Sequence, residues 1–153
     1  MEMLEMVLTE HPCLRGLNPQ CLKILLNCAS EGRFDPDQII YREGDPAHQF
    51  FLIRHGRVGL EINLPNRGSV TIDTIGEGEL LGWSWLIPPY KWQFTARALE
   101  RTRTIAFDGQ HVREQCEKDH LLGSEFYWCI ADMAVKRLNA TLLKLSDIYS
   151  GLS

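Results

Sequence analysis

The chain has no cysteine pair spaced C-x-x-C and no histidine pair spaced i, i+4. Its five cysteines (Cys13, Cys21, Cys28, Cys116 and Cys129) are odd in number and scattered. Such spacing does not suit an iron–sulfur cluster, so Cys21 and Cys28, seven apart on one helical segment, read as core-facing thiols. His11, His48, His55, His111 and His120 read as surface or structural residues, and no metal is expected. The opening Met1-Glu2-Met3-Leu4-Glu5 lacks the basic-then-apolar plan of a signal peptide, and no apolar run is long enough to span a bilayer. A cytoplasmic location with no membrane contact is therefore expected. No long Lys/Arg run occurs and the net charge is −4, which argues against a nucleic-acid binder. A nucleophile elbow, a P-loop, a dinucleotide fingerprint and a metal-binding helix are all missing, so no enzyme is predicted. Glu77 and Glu79 read as solvated turn carboxylates rather than as an acid–base pair.

What is present is a globular composition, 44% hydrophobic and 24% charged over 153 residues, which suits one domain with a core. Three regions follow one another. The first, residues 1–32, is helical. Asn18 caps a helix with Pro19 at its first position, Leu22, Leu25, Leu26 and Ala29 share a face, and Gly32 ends it.

The second region, residues 33–107, alternates β-branched or aromatic runs with glycine and proline turns. Strands are predicted near 38–42, 50–54, 58–62 and 70–75, with a strand pair over 95–107. Pro65-Asn66-Arg67-Gly68 reads as a hairpin loop. The third region, residues 108–153, returns to helix. Asp108 caps a short one, and Ser124 is expected to cap a long one running to about Tyr149. In that helix Ile130, Met133, Ala134, Leu138, Leu142, Leu145 and Ile148 form a stripe at steps of three or four, with Met133 and Ala134 adjacent. The fold class is α+β, an antiparallel β jelly roll (double-stranded β-helix) flanked by N-terminal helices and a long C-terminal helix. The apolar stripe either packs on its own domain or forms a two-helix seam. The seam is the prediction, with Met133, Leu138, Leu142 and Leu145 as dimer residues, because the helix outlasts what a small β-domain covers.

Several ordered motifs add to this reading. Glu43-Gly44-Asp45 is a glycine turn, and Phe51-Leu52-Ile53-Arg54-His55-Gly56-Arg57-Val58 is an aromatic strand with a glycine turn. Gly78-Glu79-Leu80-Leu81-Gly82 and Ala96-Arg97-Ala98-Leu99 bracket an aromatic segment. In that order they resemble the cyclic-nucleotide-binding domain of the Crp/Fnr type, over nearly the whole chain. The resemblance implies a sensor fold whose phosphate cassette follows Gly82. It also implies ligand roles for two positions: a glutamate after the second cassette glycine for the ribose hydroxyl, and an arginine near the cassette's end for the phosphate. Here those positions hold Trp83 and Trp92. An indole is only a donor and cannot accept a hydroxyl proton. A buried phosphate without its guanidinium loses roughly 2–5 kcal/mol. Lys91 offers a point charge without the fork geometry, and Arg97 is a second nearby cation. Crp/Fnr regulators place a helix-turn-helix after the long helix. The chain ends at Ser153, so the sensor half alone, without direct DNA binding, is expected.

Trp83, Trp85, Tyr90, Trp92 and Phe94 crowd the cassette, and Pro88-Pro89 stiffens it. Three readings stay open: aromatics that plug the pocket, a pocket rebuilt for another aromatic ligand by stacking, or cyclic nucleotide binding through backbone amides and Lys91. The candidate pocket is Leu81, Gly82, Trp83, Ser84, Lys91, Trp92, Gln93 and Arg97. No cofactor is assigned, and cyclic nucleotide remains in doubt. The expected function is a non-enzymatic regulatory module, homodimeric and signalling to a protein partner. The alternative is a small-molecule receptor for cyclic AMP, cyclic GMP or another aromatic ligand.

Overall fold

The computed structural model describes residues 2–11, 14 and 17–151; Cys13 lies outside them. The helical elements α1 (Glu2–Glu10), α2 (Pro19–Asn27), α3 (Gly109–Lys118) and α4 (His120–Gly151) flank eight strands. The strands are β1 (Ala29–Phe34), β2 (Ile39–Tyr41), β3 (Gln49–His55), β4 (Val58–Leu64), β5 (Gly68–Ile75), β6 (Leu80–Leu81), β7 (Thr95–Ala98) and β8 (Thr102–Asp108). They form two four-stranded antiparallel sheets, ordered β1-β8-β3-β6 and β2-β7-β4-β5. The contacts divide the chain into two compact units, residues 27–114 and residues 1–26 with 115–153.

In the β unit, alternate residues of both sheets meet in one core of Phe51, Ile53, Val58, Leu60, Ile75, Leu81, Ala96 and Ala106. Glycine makes the turns possible where backbones crowd. Gly56 has φ +103°, and a Cβ there would lie 2.5 Å from Thr102 Oγ1. The predicted hairpin forms between β4 and β5, with Asn66 at φ 68°.

The helix boundaries differ from expectation in two places. The first region is not helical to its end: α2 stops at Asn27, and Gly32 lies mid-strand opposite Thr104. Pairing with β8 outweighs the local helical pattern there. The long helix starts before Ser124. Asp119 Oδ1 accepts the Leu122 N–H (3.2 Å) and α4 begins at His120, so Ser124 is interior. Asp caps as well as Ser does, and it comes first in the chain. The other caps form as read: Asn18 Oδ1 accepts the Gln20 N–H at 2.8 Å, and Asp108 Oδ1 accepts the His111 N–H at 3.1 Å. Leu122, Gly123, Phe126 and Cys129 of α4 are buried. From Leu138 onward the helix is exposed throughout. No helix among the described residues is long and apolar enough to cross a membrane.

Candidate ligand site

The cassette runs from the end of β6 to the start of β7. Its backbone is tied to the turn before β3: the Gly44 N–H donates to the Trp92 carbonyl (2.8 Å) and the Trp92 N–H donates to the Asp45 carbonyl (3.0 Å). The Ala47 N–H donates to the Tyr90 carbonyl at 2.7 Å. Both backbone groups of Trp92 are thus held. Its indole points into the β unit, 6% exposed, and stacks on Tyr41 with ring centroids 3.7 Å apart and planes 13° apart. Tyr41 in turn stacks on Phe51, and burial pushes its phenol above the ordinary value.

Gly82 completes this arrangement. It adopts φ +90°, and a Cβ there would sit 2.7 Å from Trp92 Cζ3. The glycine that leads into a phosphate cassette is therefore here a glycine against which an indole packs. What remains is a cavity of about 70 Å³ lined by Tyr41, Leu60, Ile75, Leu81, Gly82, Trp83, Ser84, Trp92, Gln93 and Phe94. Pockets for small organic ligands are on the order of 300–1,000 Å³.

Trp85 and Tyr90 of the cassette do not line this cavity. Trp85 is 2% exposed and stacks on Phe50 (4.7 Å), which stacks on Phe107 (4.9 Å). Gly109, opening α3, lets Trp85 approach, since a Cβ there would lie 2.8 Å from Trp85 Cβ. Arg113 donates to the Trp85 carbonyl and lies over the Tyr90 ring, 3.9 Å from its centroid. Trp83 is 37% exposed at the mouth of the cavity.

Six of the sequence candidates thus line one cavity: Leu81, Gly82, Trp83, Ser84, Trp92 and Gln93. Lys91 and Arg97 do not. Lys91 is exposed, in a β-bridge with Pro46. Arg97 is already engaged: its Nε lies 2.8 Å from Glu61 Oε2 and its Nη1 donates to the Asp37 carbonyl at 2.9 Å. Glu61, 6% exposed, also accepts the Ser69 hydroxyl (2.9 Å). Tyr41 and Glu61 were not among the candidates. A lone carboxylate inside the apolar run Val58-Gly59-Leu60-Glu61-Ile62 was the available signal for Glu61.

In the helical unit, Cys21 Sγ donates to Glu125 Oε2 (3.3 Å). Burial, followed by that carboxylate, pushes the thiol up to about 12. Burial also raises Cys116, to about 11. Among the described residues no three His, Cys, Asp or Glu side chains are grouped to hold a metal. On α4, Val135, Leu138, Leu142, Leu145 and Tyr149 recur at alternating three- and four-residue steps, and each is at least 46% exposed. Met133 is half-buried.

Two antiparallel sheets with a glycine-led segment between β6 and β7 and a long C-terminal helix make up a β-roll fold. Residues 31–119 match the cyclic nucleotide-binding domain, and the chain belongs to that family. A protein of Geobacter metallireducens GS-15 named for cyclic nucleotide binding is 26% identical, with a TM-score of 0.77 over 90% of this chain and 96% of that one. The N-terminal domain of a transcriptional regulator from Streptomyces coelicolor A3(2) has a TM-score of 0.67 at 21% identity, covering 88% of this chain and 94% of that one. The sensor domain of the transcriptional regulator DNR from Pseudomonas aeruginosa has a TM-score of 0.72 at 18% identity, covering 90% and 93%. The latter two share the fold. No curated protein matches the sequence.

Proposed function

We propose that this chain is a non-enzymatic regulatory module of the cyclic nucleotide-binding type whose own side chain occupies the nucleotide pocket, and which acts through protein contacts. The observation that carries this reading is the placement of Trp92, stacked at 3.7 Å on Tyr41 and packed on Gly82. An indole in the phosphate position gives neither the charge nor the fork that a cyclic phosphate needs. Arg97, the nearest guanidinium in sequence, is held by Glu61, and releasing it would leave a buried carboxylate unpaired. The output surface is the heptad-spaced face of α4, which seats a second copy through Leu138, Leu142 and Leu145 and presents the paired helices to a partner.

A second reading, a receptor for a different small aromatic ligand, draws on the exposed Trp83 at the mouth of the residual cavity. Calorimetric titration with cyclic AMP and cyclic GMP, read together with tryptophan fluorescence, tests the first reading. No saturation up to about 1 mM is expected. Micromolar binding of either nucleotide contradicts it.

A further inference from the structure

We propose that the outer face of the β1-β8-β3 strands carries a binding site for a phosphate-sized oxyanion. Glu31, Gly32, Arg33, Arg54, Arg103 and Thr104 line a cleft of about 40 Å³ there. The strand register builds it. Arg33 and Arg103 are direct partners across β1 and β8, so their side chains leave the sheet on one face. On the other flank the β3–β8 register shifts between Ile53 and His55. Arg54 is the residue within that shift, and a bulge re-aims a side chain in this way.

Two guanidiniums directly opposite each other are destabilising unless something neutralises them. Among the described residues neither Arg33 nor Arg103 has a carboxylate within 4.0 Å. The one acid at the cleft, Glu31, lies 3.8 Å from Arg54 and is 72% exposed, a pairing that contributes little. Three arginines thus converge on a cleft with one loosely held carboxylate, in a chain whose net charge is −4. Guanidinium forks bind tetrahedral oxyanions in a bidentate way, which a solvated chloride cannot exploit.

Size fixes the class further. A water needs roughly 10–15 Å³ of such space, so a cleft of about 40 Å³ holds a group of a few heavy atoms, the size of one oxyanion, and leaves the remainder of any larger ligand in solvent. The site lies toward the β1 edge of its sheet, whereas the cassette follows β6 at the opposite edge, so this inference stands or falls independently of the Trp92 reading.

The test is a titration of the whole chain with inorganic phosphate at constant ionic strength, followed by backbone amide shifts of residues 31–34 and 103–104. Saturable binding in the millimolar range is expected, with sulfate equivalent and chloride silent. R33Q and R103Q should each weaken it roughly five- to tenfold, while E31Q, which frees Arg54, should tighten it about two- to threefold. Both arginine variants remove a repulsion and should melt no lower than the native chain. Glycerol phosphate as a second titrant separates the sources. Binding at least as tight as phosphate assigns the site to a phosphate group on a larger molecule, and much weaker binding assigns it to the free anion. Absence of saturation, an unchanged affinity in R33Q and R103Q, or weaker binding in E31Q overturns the proposal.

Discussion

The cassette and the distal half of α4 are both rich in large apolar side chains, and they treat them oppositely. In the cassette Trp85 and Trp92 are 2% and 6% exposed, each stacked on a ring from another strand. On α4, Leu138, Leu142 and Leu145 are 57%, 52% and 46% exposed. In a ligand-gated sensor the pocket would be the open element. Here the pocket is closed by the chain itself and the helix is the surface that lacks a cover. On the function proposed above, recognition falls to the helix and the aromatic packing of the pocket is structural.

The largest effect that would sharpen this contrast is at Trp92. Trp92→Ala removes a buried ring stacked on Tyr41 and packed on Gly82, and should destabilise the fold by about 3–5 kcal/mol, measured by urea unfolding. A loss below about 1 kcal/mol would mean that the indole is a loose lid. Next comes α4: Leu138→Glu combined with Leu145→Glu should convert a dimer to monomers in analytical ultracentrifugation. The melting temperature of the β unit should change little, because these positions are already exposed. An unchanged dimer would move the seam elsewhere.

Gly82→Ala should lower stability by about 1–3 kcal/mol, since it combines φ +90° with a Cβ 2.7 Å from Trp92. If Trp92 were mobile, the double variant with Trp92→Ala would show additive losses; the packed arrangement predicts that the second change costs much less in the presence of the first.

The smallest effect concerns the covered end of the helical unit. Cys21 is raised to about 12 from an ordinary value of 9.0. Its unfolded thiol therefore ionises first, so its contribution to stability is complete below pH 9.0 and is lost between 9.0 and about 12. Unfolding midpoints should fall across that window, and Cys21→Ser should flatten the fall. At neutral pH, Cys21 should react with thiol reagents far more slowly in the native chain than in urea.

Much of the fold was legible because the turns are written in residue types with few alternatives. Gly56, Asn66 and Gly82 all adopt positive φ, and the order of motifs around them marked the family before any geometry was known. The helix ends were less legible. Ser124 and Asp119 are both good caps, and the stretch after Asn27 has helical spacing but a strand partner 75 or so residues away, which a local pattern does not report.

The site was half legible. The family resemblance assigns Trp83 and Trp92 to the positions of the family's ligand residues, but does not report that Trp92 points inward while Trp83 stays at the mouth. That depends on Tyr41 and Gly82 meeting the indole from two other segments. Arg97 reads as an available cation until β4 brings Glu61 beside it, 36 residues away in sequence.

The most direct test of the self-filled pocket is a calorimetric titration of free indole into the native chain and into Trp92→Ala. Removal of the ring should leave an aromatic-lined cavity of the kind that takes up small rings. Saturable indole binding with recovery of melting temperature is expected in Trp92→Ala, and no binding to the native chain. Equal binding by both proteins, or a Trp92→Ala variant that is fully stable and takes up no indole, would contradict a self-filled pocket.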